Sequence, residues 1–359
     1  MSEKVLMKGN EAIALAAIAA GCDAFFGYPI TPQNELIETM AKHMPLNKRV
    51  FVQAESEVAA INMVYGGAGA GGLVMTSSSS VGIALKQEGI SYCAGAELPC
   101  VIVAISRSGP GLGGILPGQA DYHQAVKGGG NGDYRVIVLA PNSVQEASDM
   151  VQEAFVLAQK YRNPVMVMAD GVIGQMMEPV AINQTPVKRY PIDWAANGNH
   201  AKRETRNVIN SLYLNPNELE AHNQKLMEKY CKISDEVADV ELVNMENAQM
   251  AIVAYGTSSR IALAAIEIMK KKGVEIGLIR LKTLWPFPYK QILEATKNIK
   301  AVLVIELSMG QLVQDVKGLL NNKVKVGFYG RAGGNIFTPE EIVDALIKLE
   351  SEPEHDYYI

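Results

Sequence analysis

The stretch that decides the fold is Gly-Tyr-Pro-Ile-Thr-Pro, residues 27–32, which follows a short apolar and aromatic run at residues 23–27. Such a run predicts a buried strand, and Pro29 would end it. Thr31 suits the N-cap of a following helix, and Pro32 suits its first position, where the missing N–H would be unpaired anyway. The turn would leave the Thr31 hydroxyl and free N–H groups at the carboxyl edge of a sheet, where α/β proteins bind ligands and an anion is favoured.

A second polar stretch, Gln-Ala-Glu-Ser-Glu at residues 53–57, follows a predicted strand and leads into a helix rich in Ala and Gly. Ser56 is placed to open that helix, and Glu57 would lie in its first turn. The apolar residues 58–61 can bury the Glu57 carboxyl, and burial favours the protonated form. The positive N-terminus of the helix stabilises the charged carboxylate and so lowers its pKa. The effect of burial on the pKa must therefore be the larger one if Glu57 is to hold or share a proton near neutral pH.

Short apolar runs alternate with helical segments along most of the chain, a pattern typical of parallel sheets covered by helices on both faces. It predicts a doubly wound parallel sheet in residues 1–178 and a second α/β unit in residues 248–359. The intervening residues 179–247 are polar, with one exposed helix predicted at 217–232, and form a connecting region. Strands are predicted at 23–27, 49–53, 73–76, 100–106, 136–140, 165–169, 251–255, 275–281, 301–306 and 325–329, and helices from near Asn10, Thr31, Ser56, Ser80, Asn142, Ser258, Tyr289, Gly310 and Pro339.

The composition excludes several classes of protein. The 359 residues are 48% hydrophobic and carry a net charge of −5 with no basic block, which argues against nucleic-acid binding. No apolar run reaches membrane-spanning length and the first residues do not form a signal peptide, so we expect a cytoplasmic protein without membrane contact. The 4 cysteines include no Cys-x-x-Cys pair, so we expect neither a metal site nor an iron–sulfur cluster in this chain.

Nucleotide motifs are excluded as well. Residues 67–72 formally satisfy the dinucleotide pattern GxGxxG, but they lie at a predicted helix end and precede a strand, the reverse of the order this fingerprint requires. Close helix packing explains these glycines better. The chain also lacks the GxxxxGK[ST] loop, so nucleotide triphosphate chemistry is not expected.

The serine-rich segment Thr-Ser-Ser-Ser-Ser, residues 76–80, lies between a predicted strand and a predicted helix. Its hydroxyls and the N–H groups of the helix start would face the same edge of the sheet as the GYPITP turn. Ser78 and Ser79 are therefore candidates for ligand contact. The alternative, a serine-rich helix cap without a ligand, is equally consistent with the sequence.

Arg107 ends a predicted strand and precedes a glycine-rich loop at residues 108–118. A guanidinium at the ligand edge of a sheet suits a carboxylate, and the loop could close over the bound molecule. A surface arginine is the simpler alternative. Asp121 and Gln124 could line the same opening.

Taken together, these motifs resemble the 2-oxoacid:ferredoxin oxidoreductases. The GYPITP turn and the Ser-Glu pair are similar to segments of the alpha subunit, which holds the pyrimidine half of thiamine pyrophosphate. Tyr-Gly-Thr-Ser-Ser-Arg at 255–260 and Leu-Trp-Pro-Phe-Pro at 284–288 are similar to its second domain. The resemblance implies a thiamin-diphosphate-binding, pyrimidine-type doubly wound parallel sheet plus a transketolase C-terminal-like three-layer α/β domain. The TSSSS segment is most similar to the 2-oxoisovalerate (3-methyl-2-oxobutanoate) type.

The resemblance also implies roles for the candidate residues. Glu57 would be the catalytic acid that bonds to the pyrimidine ring of the cofactor and so helps the cofactor to form its carbanion. Glu55 is the rival, and the position of the Ala- and Gly-rich helix favours Glu57. The other cofactor contacts implied are Tyr28, Ile30, Ser78 and Ser79, and the implied substrate contacts are Pro29, Thr31 and Arg107.

One element of thiamine enzymes is missing from the sequence. The GDG-x(about 30)-N element that binds the diphosphate and Mg²⁺ is not found, since Asp170-Gly171 lacks the pattern. The resemblance therefore implies that a beta subunit brings the diphosphate and Mg²⁺ site. Iron–sulfur clusters would lie on partner chains, and gamma and ferredoxin-like subunits and ferredoxin itself are further expected partners.

The implied reaction converts a 2-oxoacid, coenzyme A and oxidised ferredoxin to acyl-CoA, carbon dioxide and reduced ferredoxin. A branched-chain oxoacid, 2-oxoisovalerate, is the first expectation, and 2-oxoglutarate or pyruvate are alternatives. A ferredoxin-independent component of transketolase-like or decarboxylating dehydrogenase type is a second alternative, and a non-catalytic assembly protein of the same fold is a third.

Overall fold

A computed structural model describes residues 4–198, 203–321 and 323–351. The acidic end of the chain, for which the sequence predicts a surface position, lies outside the described residues from 352 onward. The strands are β1 (Val5–Lys8), β2 (Ala24–Gly27), β3 (Val50–Gln53), β4 (Val74–Ser78), β5 (Cys100–Ser106), β6 (Ile137–Leu139), β7 (Pro164–Asp170), β8 (Met177–Val180), β9 (Val240–Val243), β10 (Met250–Ala254), β11 (Ile276–Leu281), β12 (Thr283–Trp285), β13 (Ala301–Glu306) and β14 (Lys325–Gly330).

Helices precede, connect and follow these strands. They are α1 (Gly9–Ala20), α2 (Asn34–Leu46), α3 (Glu57–Gly69), α4 (Ser80–Gly95), α5 (Tyr122–Lys127), α6 (Val144–Tyr161), α7 (Gly171–Gln175), α8 (Pro216–Val237), α9 (Gly256–Lys271), α10 (Tyr289–Ala295), α11 (Leu312–Leu320) and α12 (Pro339–Ser351).

The first sheet has seven strands in the order β12-β6-β7-β5-β4-β2-β3. Neighbours run parallel, except that β12 is antiparallel to β6. In the central strand β5, Val101 and Val103 pack with residues of α1, α2 and α6, whereas Ile102 and Ala104 pack with residues of α3 and α4. Both faces of the sheet are therefore covered, as the continuous apolar runs predict.

The second sheet has the order β14-β13-β10-β11-β9, and only β9 is antiparallel to its neighbour. Apolar residues of α9 and α12 cover one face, and those of α10 and α11 cover the other. This is the three-layer arrangement expected for the second unit. The core on the α10 and α11 side is continuous with the core of the first unit.

Strands and helices cross the predicted domain boundaries. Strand β9 lies in the predicted connecting region but pairs with β11 of the second sheet. Strand β12 lies in the predicted third segment but pairs with β6 of the first sheet. Helix α8, predicted at 217–232 as a mostly exposed helix, buries Leu226, Tyr230 and Ile233 against the first unit. The division at residues 178 and 247 stays a prediction.

The predicted start of the second helix is wrong. Helix α2 begins at Asn34 with Gln33 at the N-cap position, so Thr31 does not cap it and Pro32 is not its first residue. The reason is that the Pro32 carbonyl accepts hydrogen bonds from the side chains of Asn10 (2.8 Å) and Gln175 (2.9 Å). These bonds hold the chain in a turn that extends two residues further than local preferences suggest.

The predicted cap of the first helix is wrong for the same reason. Helix α1 begins at Gly9, so Asn10 lies inside it and uses its side chain to hold the Pro32 carbonyl. Lys8 occupies the N-cap position, where its backbone N–H donates to the Glu11 carboxylate at 2.9 Å. The predicted end of this helix is confirmed, because Gly21 adopts the left-handed conformation that glycine favours, with φ 102°.

Candidate active site

The GYPITP turn connects β2 to α2 at the carboxyl edge of the first sheet. The fully buried Gln33 organises it. Its backbone N–H donates to the Ile30 carbonyl at 3.1 Å, and its side-chain amide donates to the Tyr28 carbonyl at 3.3 Å. Its amide oxygen accepts a hydrogen bond from Ser77 at 2.6 Å. Because Ser77 belongs to β4, this one side chain fixes the turn to the neighbouring strand.

Arg107 and Thr31 lie together at this edge. The Arg107 Nη1 donates to the Thr31 carbonyl at 3.0 Å, so the contact uses the main chain of Thr31 and not its hydroxyl. Arg107 is only 6% exposed, which rules out the simpler reading of a surface arginine. The structure thus brings together two residues that are 76 positions apart in sequence and that the sequence analysis selected for the same role.

Arg107 also holds the glycine-rich loop that follows it. Its Nη2 donates to the Leu112 carbonyl at 3.0 Å, although the Leu112 side chain itself is 80% exposed. The Arg107 Nε is buried and has no hydrogen-bond partner among the described residues. A buried donor without a partner is unusual in folded proteins, and an anionic ligand would supply one.

Glu57 is the first residue of α3. Ser56 caps the helix, because its hydroxyl accepts a hydrogen bond from the Ala59 N–H at 3.1 Å, as the sequence predicts. Glu57 is only 6% exposed, whereas the rival Glu55 is exposed. Within the described part of the chain, nothing donates a hydrogen bond to the Glu57 carboxylate. The carboxylate is therefore buried and uncommitted, as an acid reserved for a ligand would be.

Gly82 of α4 leaves room for the Glu57 side chain. A Cβ at Gly82 would overlap the Ser78 hydroxyl and come within 2.6 Å of the Glu57 Oε1. The hydroxyls of Ser78 and Ser79 are buried and have no partner among the described residues. The Glu57 carboxylate and the Ser78 hydroxyl thus lie against the same residue of α4 without protein partners, and together they could serve a heterocycle that offers both donors and acceptors.

Lys86, one turn further along α4, lies beneath Glu57 and is fully buried. Its Nζ donates to the Glu57 carbonyl at 3.4 Å and to the Thr76 hydroxyl at 3.2 Å. Burial lowers the pKa of Lys86 to about 8, and the nearby Glu57 carboxylate opposes this shift. Sequence analysis selected neither Gly82 nor Lys86, because only the packing of α4 against α3 brings them to Glu57.

Ser80, at the start of α4, links the surroundings of Glu57 to Arg107. Its hydroxyl accepts a hydrogen bond from the Arg107 backbone N–H at 2.9 Å and also bonds to the Asp121 carboxylate. Burial raises the pKa of Asp121, and the Ser80 hydrogen bond opposes the rise. The contacts thus run from Glu57 through the α4 start to Arg107 and Thr31.

A cavity of about 560 Å³ opens beside Ser80, between the first and second units. Asp121 and Gln124 line it together, but Arg107, whose opening they were predicted to share, does not, and neither do Glu57 and Thr31. The buried oxygen of the Gln124 amide has no partner among the described residues. Apolar atoms of Val81, Ala84, Leu307 and Met309 form part of the wall, and no lysine or arginine occurs among its described lining residues.

The remaining predicted contact residues lie in the turn. Tyr28 and Ile30 are half-buried, and both offer their carbonyls to Gln33. Pro29 is exposed. Gln33 is a further site residue that sequence analysis missed. Its position directly after the Thr-Pro pair was the available signal, since a buried glutamine at a strand-to-helix turn can bond to both main chain and side chains.

Comparison with known proteins identifies the family. A family model described as "Pyruvate flavodoxin/ferredoxin oxidoreductase, thiamine diP-bdg" matches residues 15–266, and one described as "Pyruvate:ferredoxin oxidoreductase core domain II" matches residues 248–342. The chain belongs to the pyruvate flavodoxin/ferredoxin oxidoreductase family. The first match contains the GYPITP turn, Glu57, Gly82, Lys86 and Arg107, and it makes thiamine diphosphate the cofactor of the family to which these residues belong.

Curated relatives match over nearly the whole chain. The ketoisovalerate oxidoreductase subunit VorB of Methanothermobacter marburgensis is 47% identical over 97% of this chain and 98% of its own. The 2-oxoglutarate synthase subunit KorA of Methanothermobacter thermautotrophicus is 33% identical over 97% of this chain and 100% of its own. Both are named as subunits, the first of an oxidoreductase and the second of a synthase. The chain is accordingly a subunit of a 2-oxoacid:ferredoxin oxidoreductase, and it works with partner subunits, as the resemblance implies.

Solved structures agree with this assignment. The 2-oxoglutarate:ferredoxin oxidoreductase of Magnetococcus marinus, solved with 2-oxoglutarate, coenzyme A and succinyl-CoA, matches with a TM-score of 0.86 and 28% identity. The match covers 97% of this chain and 65% of that chain. A split-gene transketolase in an inactive beta4 tetramer matches with a TM-score of 0.56 at 14% identity, which shows a shared fold. The predicted fold class is confirmed.

The described residues bear on two further properties, membrane-spanning helices and metal-binding clusters. Every described helix is too short or too polar to pass through a lipid bilayer. The described residues contain no group of three or more His, Cys, Asp or Glu side chains placed to hold a metal ion.

Proposed function

We propose that this chain is the alpha subunit of a 2-oxoisovalerate:ferredoxin oxidoreductase. The complex would oxidatively decarboxylate 2-oxoisovalerate, pass the electrons to ferredoxin and transfer the acyl group to coenzyme A. The observation that carries the proposal is the buried, uncommitted Glu57 carboxylate beside Gly82, in a chain of the thiamine diphosphate-binding family. The 47% identity to a ketoisovalerate oxidoreductase subunit supports the branched-chain substrate.

In this proposal Glu57 binds the pyrimidine ring of thiamine diphosphate. When bound, the cofactor would supply the carbanion chemistry that decarboxylation of an oxoacid requires. The protein's own part is to hold one carboxyl group in a dry pocket and to share a proton with a ring nitrogen. Ser78 and Ser79, whose hydroxyls lack partners among the described residues, and Tyr28 and Ile30 of the turn would complete the contacts to the ring.

Arg107 would hold the substrate carboxylate. The unpartnered Nε beside the Thr31 main chain offers a charge-assisted hydrogen bond to an anion. Thr31 would contribute its hydroxyl, and Pro29 would shape the outer wall of the turn. A carboxylate fixed at this point would orient the carbonyl carbon of the oxoacid toward the cofactor pocket.

The cavity beside Ser80 includes residues 108–111, which directly follow Arg107, so an oxoacid held by Arg107 could extend its side chain into it. Its lining favours a branched aliphatic substrate over a dicarboxylate. A second carboxylate, as in 2-oxoglutarate, needs an additional cation to compensate its charge. The described residues that line the cavity include no lysine or arginine, and several of them are apolar. The 2-oxoglutarate enzymes remain the second candidate because two such relatives match this chain over almost its full length at 33% identity.

The proposed partners are a beta subunit with the diphosphate and Mg²⁺ site, gamma and ferredoxin-like subunits that carry iron–sulfur clusters, and ferredoxin. The test is to co-express the chain with the products of neighbouring genes and to purify the complex. Oxoacid-dependent reduction of a viologen dye is then measured with each substrate. We expect kcat/KM for 2-oxoisovalerate to exceed that for 2-oxoglutarate or pyruvate by about tenfold or more.

The Glu57→Gln variant of the same complex tests the role of the carboxyl group. Glutamine keeps the size of the side chain but cannot share a proton, so activity should fall by on the order of 100-fold or more while the complex still assembles. Glu55→Gln serves as the matched control, since Glu55 is exposed two residues away. Full activity in the Glu57 variant would remove the basis of the proposal.

A further inference from the structure

Lys86 is a buried cation that the proposed chemistry does not yet use. It is fully buried, and its two hydrogen bonds reach the Glu57 carbonyl and the Thr76 hydroxyl. Lysine is rarely buried to this extent, because removing an ammonium group from water is costly unless it is paired. A buried lysine at this position therefore requires an explanation beyond packing.

The contacts made by α4 provide one. Gly82 lies against the Glu57 side chain, and Lys86, one helical turn away, bonds to the Glu57 main chain. Helix α4 thus contacts the same glutamate at its carboxylate and at its carbonyl. The second hydrogen bond, to Thr76, ties this arrangement to β4, the strand that ends in Ser78.

The charges are also matched. From α3, the charged group that acts on the Lys86 ammonium is Glu57, and from β4 the contact is the uncharged Thr76. Both groups are almost completely removed from solvent, and they act on each other by charge without forming a direct ion pair. Removing one of two opposite buried charges leaves the other less well compensated.

We propose that Lys86 is a positioning residue that holds Glu57 in place for the pyrimidine ring of the cofactor. This inference rests on the proposed role of Glu57. Lys86 acts through Glu57 and not through contact with the cofactor. Its ammonium anchors the first residue of α3 and places a positive charge beneath a carboxylate that has no hydrogen-bond donor of its own among the described residues.

Lys229 provides a matched control elsewhere in the molecule. It lies on α8, its Nζ donates to the Arg162 carbonyl at 3.1 Å, and it pairs with Glu97 at 3.4 Å. Burial lowers its pKa to about 8, opposed by Glu97, as Glu57 opposes the shift of Lys86. Because Arg162 and Glu97 precede β7 and β5, Lys229 lies at the amino edge of the sheet, opposite the proposed site.

The experiment measures the affinity of the assembled complex, depleted of cofactor, for thiamine diphosphate with excess Mg²⁺. Lys86→Met, Lys86→Gln, Glu57→Gln, the Lys86→Met and Glu57→Gln double variant, and Lys229→Met are compared by titration calorimetry. We expect Lys86→Met to weaken binding about tenfold or more, the effect of losing a hydrogen bond from a charged group. Lys86→Gln, which keeps a neutral donor, should lie between Lys86→Met and the native chain.

The double variant separates positioning from general packing. If Lys86 acts through Glu57, Lys86→Met should change the affinity little once Glu57 is already glutamine. Lys229→Met should leave the affinity within about twofold of the native value. An equal loss from Lys86→Met in both backgrounds would overturn the inference and leave the role of Glu57 intact. An unchanged affinity in Glu57→Gln alone would instead count against the proposed function.

A pH series on the native complex gives a test that does not depend on any variant folding. Charged lysine is the stronger donor, so the affinity should be highest below pH 8 and should weaken as the pH rises through that value. The Lys86→Gln complex should lack this dependence. A native affinity that stays constant between about pH 7 and 9.5 would overturn the inference.

Discussion

Gly82 determines how closely α4 can approach Glu57. We predict that Gly82→Ala abolishes most activity without unfolding the protein, because the added Cβ would come within 2.6 Å of the Glu57 Oε1 and displace the carboxylate. A displacement of about 1 Å in an aligned catalytic group reduces turnover by on the order of 100-fold. Dye reduction by the assembled complex measures the loss, and circular dichroism reports the fold.

Gly66→Ala is the control for that substitution. Gly66 lies in α3, and a Cβ there would meet no atom within 4 Å. Alanine favours a helix over glycine, so the variant should keep its activity and gain up to about 1 kcal/mol of unfolding free energy. Equal activity losses in the Gly82 and Gly66 variants would show that helix composition, and not the space beside Glu57, is decisive.

Arg107 differs from the other site residues because its guanidinium is shared between protein and proposed ligand. We predict that Arg107→Ala raises the KM for the oxoacid about 10- to 100-fold, the loss expected for a charge-assisted hydrogen bond, and leaves the KM for coenzyme A nearly unchanged. Steady-state kinetics with each substrate varied in turn measures both constants. A proportional rise in both would mean that Arg107 supports the loop and does not bind the carboxylate.

At the residue scale, the sequence was informative where chemistry follows a local motif. Arg107, Ser78 and Ser79 were selected from their positions at strand ends together with the family resemblance, and Glu57 mainly from that resemblance. In the structure, Gly82 lies against Glu57 and Ser78, and Ser80 at the start of the same helix bonds to Arg107. Lys86 could not be selected, because a lysine within a helix usually faces water. Its burial depends on how α3 packs against α4, and the sequence of either helix alone does not determine that packing.

The turn that precedes α2 depends on Gln33. We predict that Gln33→Leu lowers the unfolding free energy by about 1–3 kcal/mol, because the Ser77 hydroxyl and the Tyr28 carbonyl each lose a buried hydrogen bond. The loss is measured by urea denaturation. Asn47→Ala, at the exposed opposite end of the same helix, should change stability by less than about 0.5 kcal/mol.

Among the elements, the parallel strands of the two main sheets and most of the long helices were predicted, with ends within a few residues. The apolar runs of these strands are buried on both faces, so they can be recognised from local composition. The short strands β1, β8, β9 and β12 were missed. Each is 3 or 4 residues long and pairs with a strand far away in the sequence, for example Val5 with Val180, so no local periodicity marks it.

The start of α2 was predicted wrongly for a different reason, because the prediction relied only on the capping preferences of individual residues. Thr31 and Pro32 match the usual cap and first-turn residues, yet the Pro32 carbonyl is held by Asn10 and Gln175 from two other helices. Tertiary hydrogen bonds decided the helix start. Such bonds, like the Gln33 contacts, can be found only from the folded chain.

At the scale of the whole molecule, Arg280 ties the two units together. It lies in β11, is almost completely buried, and forms ion pairs with Glu146 of α6 and with Glu241 of β9. We predict that Arg280→Met lowers the unfolding free energy by about 1–3 kcal/mol, because a partly buried Glu146 loses its counter-charge. Urea denaturation of the purified chain measures the change.

A surface ion pair gives the comparison for that prediction. Lys297 and Glu294 pair at 2.5 Å, but both side chains are more than half exposed. Lys297→Ala should therefore change stability by no more than about 0.5 kcal/mol. If the Arg280 and Lys297 variants lose the same small amount, the contact between the units contributes little to the stability of the chain.

Strand β12 has a consequence for how the protein is made. The first sheet takes its outermost strand from residues 283–285, which leave the ribosome long after the other six strands have been synthesised. Until Trp285 emerges, the edge of β6 presents unpaired main-chain groups, the kind of edge at which nascent chains associate wrongly. The seven-stranded sheet therefore cannot be completed during translation until about a third of the second unit has been synthesised.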